Sequence, residues 1–400
     1  MYAFIYRDVQ PFPDNQLHAV TAQPEVSKRN HAMTSYSLDH NTCRVRQQRL
    51  LALMEEKQVD LVIITQRENI QWLSGQWFNW HFQPAAALDA NGHLTLVAPT
   101  KPPVTAAADE VLHYEAQWHS TLRNDQRAAC SEVLWDRLRT ASTPRRIGVE
   151  FSTFGPCLAQ YTDAELFDVE PDLYVLRRHK EADELAMIKR AIAGTQAMYE
   201  RAREIIEPGI SELEVYNQLQ ATAVDRFGEV LTGTGNDYQC RSRGGMPRSQ
   251  HQAAKGDLYI LDLGPAYRGY YADNCRTIAV SDPSEEQQIA WEHVTAVFAF
   301  VEQTVKPGSS ARELFIEVQA MLDRAPVGIF NHHLGHGFGL FPHEAPHLNP
   351  HWDDVFEHGD TFTVEPGLYA PELNAGMRIE QNYVVCTSGV ELLTTFPTDL

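Results

Sequence analysis

The sequence predicts two domains, an α/β domain followed by an α+β domain built from two similar αβ halves, and three observations carry that expectation. The chain has 400 residues, more than the ~250–300 that a single hydrophobic core organises. Helical and short β-branched segments alternate as far as the basic run Arg177-Arg178-His179-Lys180, where the composition shifts. Beyond that run a helix–Pro-Gly–helix unit occurs twice, at Pro208-Gly209 and Pro307-Gly308, each time followed by β-rich sequence carrying acids, the pattern of an internal duplication.

Residues 1–40 are polar and rich in His, Asn, Gln and Ser, so they read as a tail, with Met33 as an alternative start. The first domain is expected over 41–176. Leu50, Leu51, Leu53 and Met54 recur at helical spacing within Arg44–Lys57, and Val59–Thr65 (VDLVIIT) is a buried-strand run. Further strands are expected at Ala85–Leu88, Leu94–Ala98, Val111–Tyr114, Arg146–Glu150 and Leu166–Asp168, with a helix over Ala128–Thr140. The loop Trp77-Phe78-Asn79-Trp80-His81-Phe82 either folds onto the domain core or serves as a substrate lid or subunit contact.

The second domain is expected over 177–400. Its first helix runs from about Glu181 to Ile206 and stops at Pro208-Gly209, because proline lacks the amide that continuation needs and glycine tolerates left-handed angles. Ser211-Glu212-Leu213-Glu214 is a capping box, with Ser211 as N-cap and Glu214 reaching back. Helices over Ile289–Val305 and Glu313–Leu322 repeat the arrangement.

Composition is ordinary for a globular chain, with 43% hydrophobic and 22% charged residues, and the net charge of -20 disfavours nucleic acid and anionic membranes, which need Lys and Arg to displace counterions. The six cysteines are dispersed with no CxxC pair, which fits reduced thiols and a cytoplasmic location. No basic start followed by an apolar run and no apolar stretch of about 18 residues occurs, so neither export nor membrane insertion is expected.

The chemistry concentrates in three segments. Asp257–Val280 reads as two strands joined by turns at Gly264-Pro265 and Arg268-Gly269, with Asp262 and Asp273 in apolar strand sequence. As strand-end acids they would merely cap turns, but unpaired burial there would be costly. His332, His333, His336, His343 and His347 fall within HHLGHGFGLFPHEAPH, a loop laced with glycine and proline that can bring imidazoles, the commonest neutral metal ligands, to a site. Glu365 and Glu380 follow in strand-like contexts, TFTVEPGLY and GMRIEQNYVV. Four carboxylates and one imidazole form a hard, oxygen-rich set that two divalent cations would neutralise. Such a pair points to hydrolysis.

The motifs LDLGPAYRGYYADNCRT, HLGHGFGLFPHEAP, TVEPGLY and GMRIE resemble the metal-site segments of the creatinase/aminopeptidase P/prolidase superfamily, the pita-bread metallopeptidases, and the likeness spans roughly residues 44–396. The N-terminal half is most similar to the creatinase branch. The resemblance implies a creatinase-like α/β N-terminal domain and a pita-bread catalytic domain whose two pseudo-symmetric αβ halves share an antiparallel sheet. It implies that Asp262 binds one metal, that Asp273 and Glu380 bridge both, and that His336 and Glu365 complete the other. Glu365 would also act as general base, His332 and His343 would contact the substrate, and Arg378 matches a basic position near its end. The implied metals are two divalent ions, manganese first, with cobalt, zinc or iron as alternatives. The implied activity is that of a Xaa-Pro aminopeptidase or dipeptidase; a metal-dependent hydrolase or lyase of a small non-peptide metabolite, or a non-catalytic member of the fold, is the alternative. Family members are commonly homodimers in which an N-domain loop approaches the neighbour's site, which would make Trp77 and Trp80 substrate-pocket walls. One departure stands out. The family's histidine ahead of the first metal strand is missing from CRSRGGMPRSQHQAAKGD, where Gly245 or Met246 lies near that position and only His251 could substitute.

Overall fold

Strand Leu61–Ile64 is buried on both sides, and its side chains sort by the twofold period of a strand. Leu61 and Ile63 join Ala85, Ala87, Val97, Ile147 and Val149 under Ala129, Cys130 and Leu134 of one helix. Val62 and Ile64 join Ala86, Leu88 and Leu96 under Leu50 and Met54 of another. The computed structural model describes residues 36–100, 104–140, 143–153 and 163–400. Most of the expected tail, with Met33, and Cys157 lie outside the described residues. Cys43, Cys240, Cys275 and Cys386 are free thiols.

The N-terminal sheet comprises β1 (Leu61–Ile64), β2 (Ala85–Asp89), β3 (Leu94–Pro99), β4 (Glu110–Tyr114), β5 (Arg146–Val149) and β6 (Glu165–Asp168), in the order β4-β3-β2-β1-β5-β6. It is mixed: β1 pairs antiparallel with β2 and parallel with β5. Helices α1 (His40–Lys57), α2 (Arg67–Ser74), α3 (Gln126–Leu138) and α4 (Glu170–Arg178) accompany it. Asp39 caps α1 by accepting from Thr42 N–H at 2.8 Å, so the helix begins four residues before the sequence expectation. Helices α2 and α4 have no counterpart in that expectation. Both are short, and α4 begins with Glu170-Pro171, a helix start that the preceding strand-like run conceals.

Two αβ halves follow. The first has α5 (Ala182–Ile205) and α6 (Glu212–Phe227) with antiparallel strands β7 (Asp237–Cys240), β8 (Leu258–Leu263) and β9 (Asn274–Ala279). The second has α7 (Glu285–Thr304) and α8 (Ala311–Leu322) with a five-stranded antiparallel sheet built around β10 (Gly335–Gly337), β11 (Glu344–Leu348), β12 (Thr361–Val364) and β13 (Gln381–Val385). In both, a Pro-Gly pair ends the first helix with a glycine of positive φ, +99° at Gly209 and +91° at Gly308, and a serine caps the second, Ser211 and Ser310. The capping box at Ser211 is only half made. Its hydroxyl accepts from Glu214 N–H, but the Glu214 carboxylate accepts from Gln218 instead of returning.

One apolar cluster runs from the N-terminal sheet through Met187, Ile188, Leu219 and Ala223 of the first half to Tyr259, Leu261 and Leu263 of β8. A second holds Val294, Val297, Leu314 and Val318 against Phe362, Val364 and Tyr383. Charge ties the end of α4, a helix of the N-terminal layer, to the second αβ half as well. In the last turn of α4 Arg177 pairs with Glu344, and Arg178 forks onto Asp360 at 2.9 and 2.6 Å. Lys180 Nζ meets Glu344 at 2.8 Å. No helix among the described residues is long and apolar enough to cross a membrane.

Candidate metal centre

Since Tyr259, Leu261 and Leu263 of β8 face the first core, the alternate residues Leu258, Ile260 and Asp262 take the other side. Asp262 stands opposite Cys275 of β9 and Asp237 of β7. Asp273 immediately precedes β9, because a small hairpin, Pro265–Tyr267 with Tyr270–Tyr271, separates the two long strands. Its turn, Arg268-Gly269, has φ of 48° and 87°, as a tight two-residue hairpin requires.

The histidine segment is partly a strand and not wholly a loop. His336 lies in β10, which pairs with β11 across an irregularity at His336/Gly337. A side chain at Gly335 would collide with the Thr363 backbone, and one at Gly337 with the carbonyl of Ala345, so both glycines serve close approach. Glu365 follows β12, its N–H donating to Leu334 O at 2.7 Å, and Glu380 precedes β13, its N–H donating to Cys275 O at 2.9 Å.

These elements bring Asp262, Asp273, His336, Glu365 and Glu380 to one pocket of about 220 Å³, together with His332, His333, His343, Asn236, Asp237, Arg243, Tyr369 and Arg378. His336 Nε2 lies 3.7 Å from Asp273 Oδ2 and 3.6 Å from Glu365 Oε1. Ligand atoms of His336, Glu365 and Glu380, and likewise of Asp273, His336 and His343, lie within 4.8 Å of one another. His336 Nδ1 donates to Gly337 O at 3.0 Å, which leaves the Nε2 lone pair facing the carboxylates, as a metal-ligating imidazole needs. Burial, then the neighbouring His343, keeps His336 neutral, with its pKa well below the ordinary value.

The acids are in the opposite condition. Burial first, and then mutual repulsion, pushes Asp273 and Glu380 well above the carboxylate range. Burial raises Glu365 to about 8 against the attraction of Arg378, and raises Asp262 against the same guanidinium. Asp262 Oδ1 and Glu380 Oε2 are buried with no hydrogen-bond partner. Unpaired buried carboxylate oxygens are costly, and cations bound among them would answer both features. Carboxylates with one neutral imidazole are also the donor set that hard divalent ions prefer. The residues therefore fit a pair of such ions.

Other expected residues take different places. His343 stacks on His336, ring centroids 3.8 Å apart. His332 reaches the pocket with both nitrogens engaged: Nδ1 donates to His333 O at 2.7 Å, and Nε2 accepts from the Tyr369 hydroxyl at 3.0 Å. Arg378 is buried, with Nη2 donating to Asp262 Oδ2 at 2.8 Å and to Asp237 Oδ2. His347 turns away to Asp354 at 2.8 Å. His251 is not brought to the pocket. It clusters instead with Glu212 and Cys240, because the bridge between Ser211 and Gln252 holds its segment on the start of α6. Trp77 and Trp80 line a separate cavity of about 390 Å³, with Arg67, Glu68, Tyr271 and Phe341 among its other walls. Asp237 and Tyr369 are pocket residues that the sequence did not single out, while His333 of the histidine segment does reach the pocket. Only the register between β7 and β8 could have revealed Asp237.

Comparison with known proteins identifies two family domains in the chain. The model of metallopeptidase family M24 matches residues 186–387, and the creatinase/prolidase N-terminal domain matches 46–179. An uncharacterized peptidase of Bacillus subtilis, YqhT, is 30% identical over 270 residues, covering 64% of this chain and 74% of its own. The Xaa-Pro dipeptidase of Pyrococcus horikoshii is 26% identical over 357 residues, covering 86% and 95%. Among solved structures, the Xaa-Pro dipeptidase from Bacillus anthracis superposes with a TM-score of 0.75 at 24% identity, over 90% of this chain and 99% of its own. The X-Pro aminopeptidase from Thermotoga maritima gives 0.75 at 23%, over 88% and 99%. At those identities the superpositions speak for the fold.

Proposed function

The chain belongs to metallopeptidase family M24, and from that premise we propose that it is a two-metal Xaa-Pro peptidase, hydrolysing the peptide bond that precedes proline. One observation carries the reading: four buried carboxylates, two with a partnerless oxygen, surround a neutral imidazole in a single pocket. The similarity to Xaa-Pro dipeptidases and to an X-Pro aminopeptidase supports the substrate class.

In this reading Asp262, Asp273, His336, Glu365 and Glu380 would hold the two ions, with manganese as the physiological metal. When bound, the ions supply Lewis-acid polarisation of the scissile carbonyl and ease the deprotonation of water. Everything else falls to the protein. Glu365 receives the proton released by the attacking water and delivers it to the departing proline nitrogen. His343 flanks the scissile carbonyl and donates to the oxygen as its negative charge develops, while His332, whose Nδ1 proton is held by His333 O, lines the same side of the substrate and positions the Tyr369 hydroxyl through Nε2. Arg378 keeps Asp262 ionised and oriented. The catalytic domain spans 177–400 and the N-terminal domain 41–176. The protein works in the cytoplasm as a homodimer, with Trp77 and Trp80 turned toward the neighbouring subunit's substrate.

The test is direct. Protein stripped with chelator and reloaded with manganese is assayed on Xaa-Pro dipeptides and Xaa-Pro-Xaa tripeptides, with metal content measured by inductively coupled plasma spectrometry. Proline-dependent turnover that tracks two bound ions per chain is expected. Absence of turnover on every proline substrate by fully loaded protein would end the reading.

A further inference from the structure

The segment Arg241–Gln252, which lacks the family's histidine, nevertheless sends one side chain to the pocket wall. That residue is Arg243. Its guanidinium lies 4.0 Å from the centroid of the Tyr369 ring, and its Nη2 donates to Asn331 Oδ1 at 2.6 Å. The Arg243 carbonyl accepts from Arg378 Nη1 at 3.3 Å, which pins the backbone to the site. A stacking face, a side-chain hydrogen bond and a backbone anchor together hold an exposed arginine in one orientation.

The charges of the pocket give that orientation meaning. Two divalent ions would balance Asp262, Asp273, Glu365 and Glu380, and Arg378 is matched by Asp237. Arg243 is the other guanidinium of the lining, and among the described residues no carboxylate pairs with it. A guanidinium carries five N–H donors in a planar fork that matches a carboxylate. The single donor committed to Asn331 leaves the others available.

Position selects the ligand. The carboxylates sit on the buried floor, whereas Arg243 is exposed at the mouth. A substrate whose scissile carbonyl rests on the floor offers the mouth whatever group follows the bond being cut. The pocket volume of about 220 Å³ is below the ~300–1,000 Å³ of ordinary small-molecule sites, which suits a short substrate. Resting on the Xaa-Pro reading above, we propose that Arg243 recognises the free carboxylate of a C-terminal proline, so that the preferred substrates are Xaa-Pro dipeptides in acid form. It is a specificity residue, with no part in moving protons.

The experiment compares Ala-Pro with Ala-Pro amide on manganese-loaded wild type, Arg243→Met, Arg243→Lys and Arg243→Glu. Wild type is expected to favour the acid by at least about 10-fold in kcat/KM, the size of a charge-assisted hydrogen bond. Arg243→Met should raise KM for the acid by about 10- to 100-fold, with kcat and amide turnover little changed. Lysine should restore part of the preference and glutamate should reverse it. Equal use of acid and amide by wild type, or an unchanged preference in Arg243→Met, overturns the proposal. Failure of wild type on both compounds defeats the Xaa-Pro reading instead, and the carboxylate site is then judged by calorimetric titration of proline and prolinamide. Proline binding that Arg243→Met weakens at least 10-fold keeps the proposal, and binding that the substitution leaves unaltered, or no proline binding at all, overturns it.

Discussion

Arg378 Nη2 lies 2.8 Å from Asp262 Oδ2 and also donates to Asp237 Oδ2, so one buried cation ties together two acids that face each other across β7 and β8. Removing one member of a buried ion pair strands its partner, at about 3–5 kcal/mol. Arg378→Met is therefore expected to lower the unfolding free energy of the metal-free protein by about that much. Manganese should recover part of the loss, because an ion can take over the neutralisation of Asp262. Urea denaturation with and without manganese measures both effects, and an unchanged midpoint in the metal-free protein contradicts them.

Glu380 Oε2 has no protein partner despite complete burial. In the two-metal reading a cation fills that role, so manganese at about 100 times its dissociation constant should stabilise the protein by about 2.7 kcal/mol. Glu380→Gln keeps the shape and removes the charge. It should leave the metal-free protein at least as stable as wild type, while bound manganese falls below two per chain and most of the metal-induced shift in Tm disappears. Undiminished metal stoichiometry in the variant would exclude Glu380 as a ligand.

The acids of the centre were legible because charged residues such as Asp262 and Glu380 stand in sequence that is otherwise strand-like and apolar. The two αβ halves were legible because Pro-Gly ends a helix for local reasons. What escaped depends on pairing across space. Asp237 sits in an unremarkable stretch, NDYQC, and acquires its place only through its register with Asp262. Tyr369 meets His332 and Arg378 only after a tight return between Gly367–Leu368 and Met377–Arg378. His251 is near the missing histidine only in sequence, and the bridge from Ser211 to Gln252 carries it to Glu212 instead of the pocket.

Gly337 ends β10, and its place beside His336 admits no side chain: a Cβ there would overlap the carbonyl of Ala345. Gly337→Ala should push β10 off β11 and move His336 out of reach of Asp273 and Glu365. Overpacking of this kind costs about 1–3 kcal/mol. The variant should consequently lose both stability and metal affinity, read by urea denaturation and by manganese titration. Wild-type affinity at reduced stability would mean that the strand shifts without carrying the imidazole.

A different carboxylate, away from the pocket, sets a pH dependence. Glu184 near the start of α5 is wholly buried, and burial, opposed by Arg46, raises its pKa to about 7 from an ordinary 4.5. Its oxygens accept from the Tyr270 hydroxyl at 3.1 Å and from the N–H of Glu181 at 3.3 Å. Arg46 Nη2 is 3.3 Å away but also serves Asp183 at 2.5 Å, and its Nε serves Glu181 at 3.0 Å, so the guanidinium does not depend on Glu184 for compensation. A carboxyl whose folded pKa exceeds its unfolded one contributes stability that is complete below about 4.5 and is lost as the pH rises through about 7. Glu184→Gln keeps an amide oxygen for Tyr270 and for the helix cap while it has no proton to lose. Relative to wild type, the variant should gain stability progressively from pH 5.5 to pH 8, as measured by urea midpoints at matched metal content. A difference between the two proteins that stays constant over that range would show that Glu184 remains charged in the fold.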